Sequence, residues 1–297
     1  MLIGFNTLAI YQENADVDLY AAVARTADEL GYDSMWMGHH VIFGTEISAT
    51  YPYSADGRGP HHPRMHRLDP WTLFAHLSGL TNRLRFATGV YILPLVNPFA
   101  TARAIATADV LSKGRMIVGM GVGWNREEFE IVGEDFTTRG ERADEILEIL
   151  RRLWNDDTIE FSGKHYSFGP VHFEPKPAQR PHPPFLGGGG TPAALRRAAA
   201  LDGCYLPVTD LDTLARPLAE IRRLRQEAGL ANQPYDITVG APAPLTRDAL
   251  RRFEDAGVTR VVFEIGTCPV EQGNPPVPAT PDALTRNLEQ VAEAVLG

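Results

Sequence analysis

Short apolar runs that end in glycine or a polar residue alternate along this chain with longer stretches in which apolar positions recur every three or four residues. Runs of the first kind read as buried strands, stretches of the second as helices. The clearest unit is RFATGVYILPLVNPFATARAIATADVLSKGRMIVGMGVGW, residues 85–124. Here Arg85–Val90 reads as a strand, Phe99–Ser112 as a helix, and Arg115–Gly121 as a second strand that runs into Gly121, Gly123 and Trp124. Strands joined through a helix are parallel, and a parallel sheet must be covered on both faces. Glycines at both strand ends remove side chains where a backbone turns sharply or a ligand comes close, and ligands of parallel α/β folds gather at those carboxyl ends. The pattern predicts a cofactor site there.

The same alternation repeats along the whole chain. Strand candidates end near Leu8, Met37, Val90, Gly121, Leu186, Pro207, Gly240 and Ile265. Helical patterns follow at Val17–Leu30, Pro70–Leu80, Phe99–Ser112, Gly140–Trp154, Pro192–Leu201, Leu211–Ala228, Thr246–Ala256 and Pro281–Leu296, several closed by a glycine. Eight parallel strand–helix units close most simply into an α/β (β/α)8 TIM barrel, expected as one domain over residues 1–297. Such a barrel takes about 250 residues, which leaves roughly 45 for insertions. One insertion is Phe43–Leu68, polar and rich in His and Tyr, on the catalytic face after the second strand, where it is expected to act as a lid. The other is Thr158–Glu174, which alternates apolar and polar residues around Gly163 and Gly169 and reads as a small hairpin after the fourth helix.

Composition narrows the chemistry. With 297 residues and 44% hydrophobic content the chain can bury a core of enzyme size. A net charge of −9, with basic residues scattered along helix faces, argues against nucleic acid as a partner. Only Cys204 and Cys268 occur, outside any CxxC spacing, and they read as reduced packing thiols of a cytoplasmic protein. No run of eighteen apolar residues and no leader-like start is present, so neither a membrane span nor export is expected.

Three places carry chemistry. The second strand ends in Met35-Trp36-Met37-Gly38-His39-His40. Neighbours on a strand face opposite ways, so one imidazole of the pair is expected to be structural and His39 to be the catalytic one, since imidazole exchanges protons near neutrality. Gly187-Gly188-Gly189-Gly190-Thr191-Pro192 runs from a strand into a helix start, where successive amides under a positive dipole end suit a phosphate; it lacks the lysine of an ATP-hydrolysing loop. Gly119-Met120-Gly121-Val122-Gly123-Trp124 fails the dinucleotide fingerprint in its spacing and instead offers an aromatic face at a strand end. Arg139, beside Glu141 and Asp144, is expected to hold its loop by an ion pair.

The segments TGVYILPLVNPFATARAIATADVLSKGRMIVGMGVGWNREEFEIVGEDFTTRG, DSMWMGHHV and GGGGTPAALRRAAALDG together resemble the luciferase-like monooxygenase superfamily, and within it the deazaflavin-dependent oxidoreductases. The resemblance implies a barrel, usually dimeric, that binds coenzyme F420 or FMN at the strand ends and works by hydride transfer at the ring. It places a His near the hydride at His39, where Gly38 stands in place of a common Asp, and a non-prolyl cis peptide under the ring at Gly89-Val90. It places the phosphate loop on Gly188–Thr191. Carrier contacts are accordingly expected at His39, Thr88, Gly89, Val90, Gly123, Trp124, Gly188, Gly189, Gly190 and Thr191, with Trp124 and Tyr91 as pocket wall.

The leading expectation is hydride exchange between F420 and a small organic substrate. Beside it stand an FMN-dependent monooxygenase fed by a flavin reductase, a metal-dependent hydrolase using His39, His40, His61, His62 and His66, and a non-catalytic flavin carrier. The metal reading lacks the HxH spacing that puts two ligands on one strand face.

Overall fold

Parallel strands meet edge to edge until the first pairs with the last. In the computed structural model, which describes all residues except 9, 11–15, 55, 60, 62, 208–210, 242–244, 267–277 and 297, the chain runs β1 Leu2–Asn6, α1 Val17–Leu30, β2 Ser34–Met37, α2 Pro70–Ser78, β3 Arg85–Thr88, β4 Tyr91–Ile92, α3 Pro98–Leu111, β5 Met116–Gly121, α4 Arg126–Val132, α5 Arg139–Asn155, β6 Ile159–Ser162, β7 Ser167–Val171, β8 Phe185–Gly188, α6 Pro192–Ala199, β9 Gly203–Pro207, α7 Leu211–Glu227, β10 Asp236–Gly240, α8 Arg247–Asp255, β11 Arg260–Glu264 and α9 Pro281–Val295. Around the barrel the order is β1-β2-β3-β5-β8-β9-β10-β11, and β11 returns to β1. Every pairing in that ring is parallel. The chain is a (β/α)8 TIM barrel. The antiparallel pair β6–β7 stands outside the ring.

The strands of the ring are largely buried on both faces, as the six buried residues of β5 illustrate. Outward side chains join the helices in one large apolar layer. Inward ones form a smaller plug of Trp36, Ala87, Ile117, Leu186 and Val262, with Tyr205 stacked on Trp36 at 4.9 Å. The Trp36 indole fits because Gly4 and Gly119 face it: a Cβ on Gly4 would lie 2.9 Å from the indole nitrogen. Arg260 closes the amino-terminal end, donating to Asp33 and Asp236 at 2.7 and 2.6 Å. A paired guanidinium therefore seals the end away from the site.

Two elements depart from expectation. The third strand stops at Thr88, two residues early, and the chain rejoins the sheet as β4 only after the cis Gly89-Val90 bond. Helix α4 was not foreseen, because seven residues are too few for a helical period to be read.

Candidate active site

The carboxyl ends of the strands open on a cavity of about 730 Å³, a size usual for small-molecule sites. Its wall brings together His39, Gly89, Val90, Gly123, Trp124 and Gly188–Thr191 from segments far apart in the chain. Thr88 is not among them. It is fully buried, and its hydroxyl donates to the Gly119 carbonyl at 2.8 Å, so it braces the wall from behind. Tyr91 also lies behind the wall, buried and stacked on His39 at 4.0 Å.

Both imidazoles reach the cavity, contrary to the strand alternation, because β2 ends at Met37 and residues 38–40 no longer follow the pleat. The loop lies on its neighbour: His39 N donates to Val90 O at 3.2 Å, and Gly89 N to Met37 O at 2.9 Å. His39 Nδ1 accepts from the Ile92 amide at 3.3 Å. Burial, followed by the charges near His40 and Arg67, pushes its pKa down to about 3. The ring is thus neutral near pH 7, and with Nδ1 accepting, its proton sits on Nε2, a hydrogen-bond donor.

His40 has the opposite arrangement. Its Nδ1 donates to Glu128 Oε2 at 2.7 Å, while Glu128 Oε1 accepts from the amides of Val41 and Ile42 at 2.6 and 3.3 Å. Glu128 is completely buried on α4. Burial lowers the pKa of His40, and the hydrogen bond and charge of Glu128 work against that fall. Neutral His40 therefore keeps its lone pair on Nε2 and can take a proton, leaving Glu128 to balance the imidazolium. The two neighbours offer one donor and one acceptor. Sequence gave no sign of Glu128 as a partner; its single trace is a carboxylate next to Phe129 on the buried face of a short helix.

The glycine-ended strands behave as foreseen in one respect only. A Cβ on Gly121 would lie 2.4 Å from one Val90 methyl, and a Cβ on Gly188 would lie 2.4 Å from the other. Those two glycines make room for Val90, a residue of the protein itself. Gly189, at φ +107°, turns the chain, and Gly190 faces open space. Thr191 then caps α6, its hydroxyl accepting from the Ala194 amide at 3.3 Å. The bend places backbone amides and a helix start at one end of the cavity.

Arg139 is a further cationic residue of this wall. In place of the expected ion pair, it donates to the carbonyls of Gly123 and Phe136 at 3.3 and 2.7 Å and stacks 3.7 Å over the Phe136 ring. It lines the cavity, next to Gly140, whose carbonyl accepts from Arg197 of α6. Arg197 itself pairs with Asp144.

From the insertion come Tyr51, Tyr53, His61 and Arg67. The His61 ring stacks on Trp124 at 5.8 Å, and Tyr51 meets the same indole edge-on at 5.1 Å. Arg67 donates to His61 Nδ1 at 2.6 Å. Burial and Arg67 push His61 down to about 3, and burial pushes the Tyr51 phenol up to about 12. Two glutamates of α4 tie the insertion down: Glu128 at its start and Glu127, which accepts from the Ser48 hydroxyl and amide. Cys204 is buried among β9 and its neighbours, as packing requires, and Cys268 lies outside the described residues. Of the five histidines, His62 also lies outside them; among the described residues no three His, Cys, Asp or Glu side chains converge as metal ligands.

The family described as luciferase-like monooxygenase matches residues 2–260. An uncharacterised protein of Mycobacterium tuberculosis is 35% identical over 281 residues, covering 95% of this chain and 96% of its own length. The FMNH2-dependent dimethylsulfone monooxygenase of Pseudomonas putida is 27% identical over 229 residues, 76% of this chain and 58% of that protein. Among solved structures, the coenzyme F420 dependent tetrahydromethanopterin reductase of Methanopyrus kandleri superposes with a TM-score of 0.75 at 16% identity, covering 99% of this chain and 98% of that one. The last of these likenesses is one of fold.

Proposed function

This chain belongs to the luciferase-like monooxygenase family, and from that premise we propose that it is an oxidoreductase whose carrier is coenzyme F420, held across the barrel mouth with a small organic substrate beside it. One observation carries the proposal: a single cavity is lined both by a glycine bend leading into a helix start and by a donor–acceptor pair of histidines, and no Ser, Cys, Lys, Asp or Glu is among its described wall residues. A wall with no serine, thiol, amine or carboxylate nucleophile suits a reaction whose chemistry resides in a cofactor.

The residues fit such a carrier. The Gly190 amide, the start of α6 and Arg139 would hold its phosphate, and Gly89, Val90, Gly123 and Trp124 would hold its ring; the Gly189 amide is committed to the Tyr205 carbonyl at 3.4 Å. When bound, the carrier supplies two-electron hydride chemistry. His39 Nε2–H donates a hydrogen bond and stays neutral. Proton exchange falls to His40 Nε2, with Glu128 holding the ring in orientation; this moves the acid–base role assigned to His39 by one residue. The segment 43–68 and Trp124 keep water from the ring, so the insertion serves as a lid. A homodimer, a cytoplasmic location and a separate reductase supplying the reduced carrier belong to the same proposal. Among the described residues no helix is long and apolar enough to cross a membrane.

The second reading, an FMN-dependent monooxygenase with a partner reductase, is favoured by the Pseudomonas putida relative. Titration of the purified protein with F420 and with FMN separates the two. Micromolar F420 binding with turnover in an acceptor panel is expected. FMN binding alone, with oxygen uptake, selects the second reading, and binding of neither refutes both.

A further inference from the structure

Tyr53 leads from the insertion to the glycine bend. The insertion leaves the barrel after β2 and the bend follows β8, three places further round the ring of strands, so the two start from different sides of the mouth. Near Tyr53 the backbone of the insertion bonds to itself: the Tyr51 amide donates to Gly57 O at 2.8 Å and the Gly57 amide to Ser54 O at 3.3 Å. Tyr53 is thereby held in the cavity wall. A Cβ built on Gly189 would lie 3.4 Å from the Tyr53 hydroxyl oxygen and 3.2 Å from the Ala194 Cβ, so the phenol comes down beside the first turn of α6. Gly190, the next residue of the bend, faces open space. The ring of Tyr53 is half-exposed, yet partial burial raises the pKa of its phenol. The hydroxyl keeps its proton near pH 7 and can donate it.

An anion seated on the Gly190 amide and the start of α6 has more acceptor positions than the barrel alone fills, and the phenol stands where a further donor is wanted. The same side chain is linked to the rest of the wall. Tyr53 meets Tyr51 edge-on at 5.4 Å, and Tyr51 meets Trp124 edge-on at 5.1 Å, so a run of aromatic contacts connects the bend with the wall that flanks the carrier's ring. Given the carrier site proposed above, on which this step rests, we infer that the Tyr53 hydroxyl is a ligand of the carrier's phosphate, so that the insertion closes over a phosphorylated carrier and not over its phosphate-free core. Tyr53 is then a specificity-determining residue, contributed by the insertion and not by the barrel.

The test pairs each carrier with its phosphate-free core, FMN with riboflavin and F420 with its ribityl deazaflavin, by calorimetric titration. Tyr53→Phe removes one oxygen and keeps the ring against Tyr51. It should weaken the phosphorylated carrier by about tenfold and the core by less than about twofold, as loss of a hydrogen bond to a charged group requires. Trypsin reads the insertion itself, because Arg58 and Arg64 are exposed in it. Saturating phosphorylated carrier should slow cleavage after these residues at least about fivefold in the original protein and hardly at all in Tyr53→Phe, while the core slows it in neither. The trypsin comparison of carrier with core uses the unaltered protein, so it stands even if the variant does not fold. A preference for the phosphorylated carrier that survives Tyr53→Phe, equal losses for carrier and core, or equal protection by the two overturns the inference and leaves the carrier proposal in place. If neither carrier binds more tightly than its core, the carrier proposal falls, and this inference with it.

Discussion

Replacing Glu128 should separate stability from catalysis at this site. The carboxylate receives three donors in a place without solvent: Val41 N at 2.6 Å, Ile42 N at 3.3 Å and His40 Nδ1 at 2.7 Å. Glu128→Ala leaves all three without an acceptor. Each buried donor so stranded costs about 1–3 kcal/mol, and because they share one site the total should be about 3–5 kcal/mol, not the full sum. Glu128→Gln keeps the shape. Its amide oxygen can still receive Val41 N, but its NH2 now faces His40 Nδ1, so His40 must present a lone pair there and carry its proton on Nε2. Exchanging charge-assisted bonds for neutral ones should cost only about 1–2 kcal/mol. The nitrogen turned toward the cavity, however, changes from acceptor to donor. A step in which His40 takes a proton should slow by about 10²–10⁴-fold, while carrier affinity holds. What activity remains should also titrate differently: with Glu128 no longer opposing burial, the pKa of His40 falls further, and the acid limb of the rate profile moves to lower pH. Urea unfolding at pH 7, carrier titration, and rate against pH measure the three quantities. A Glu128→Gln enzyme as fast as the original, or a Glu128→Ala protein less than about 1 kcal/mol weaker, would refute the assignment.

Acid should destabilise the fold through His39 and His61. Both have folded pKa values near 3 against 6.5 unfolded, so their contribution is complete above pH 6.5 and declines as pH falls toward 3, at up to about 1.4 kcal/mol per pH unit each. Urea midpoints at pH 7.5 and 5.5 should differ accordingly, less so in His61→Asn; a flat profile would contradict the neutral-ring account. Gly188→Ala or Gly121→Ala forces a Cβ to 2.4 Å from a Val90 methyl, and overpacking of this kind should cost about 1–3 kcal/mol and displace Val90 from the cavity wall, seen as a lowered melting temperature and, on the proposed reading, weaker carrier binding. Arg139→Gln should weaken FMN or F420 by about ten- to a hundredfold but riboflavin, which has no phosphate, hardly at all. Equal losses for FMN and riboflavin would move Arg139 away from the phosphate.

The barrel was readable in the chain because each strand–helix unit is a local pattern. Periodicity, glycine stops and caps such as Asn97, which accepts from the Phe99 and Ala100 amides, belong to neighbouring residues. The oligoglycine bend and the paired histidines were visible for the same reason. Less of the chemistry could be read. The glycines at strand ends announced that something comes close, but whether that is a ligand or Val90 from another strand depends on how the strands lie side by side. Arg139 looked like an ion-pair residue among acidic neighbours, yet it meets carbonyls and an aromatic ring.

His39 and His40 mark the boundary most clearly. They are identical, adjacent and both at the cavity, and nothing local distinguishes them. Their difference comes from the Ile92 amide, 53 positions away, and the Glu128 carboxylate, 88 positions away. The sequence by itself determined the order of elements, the barrel and the rim on which the site stands, since these follow from spacing along the chain. Only tertiary structure decided where each proton sits, because a proton's place is set by the groups that closure of the sheet brings to within about 3 Å in a region from which water is excluded.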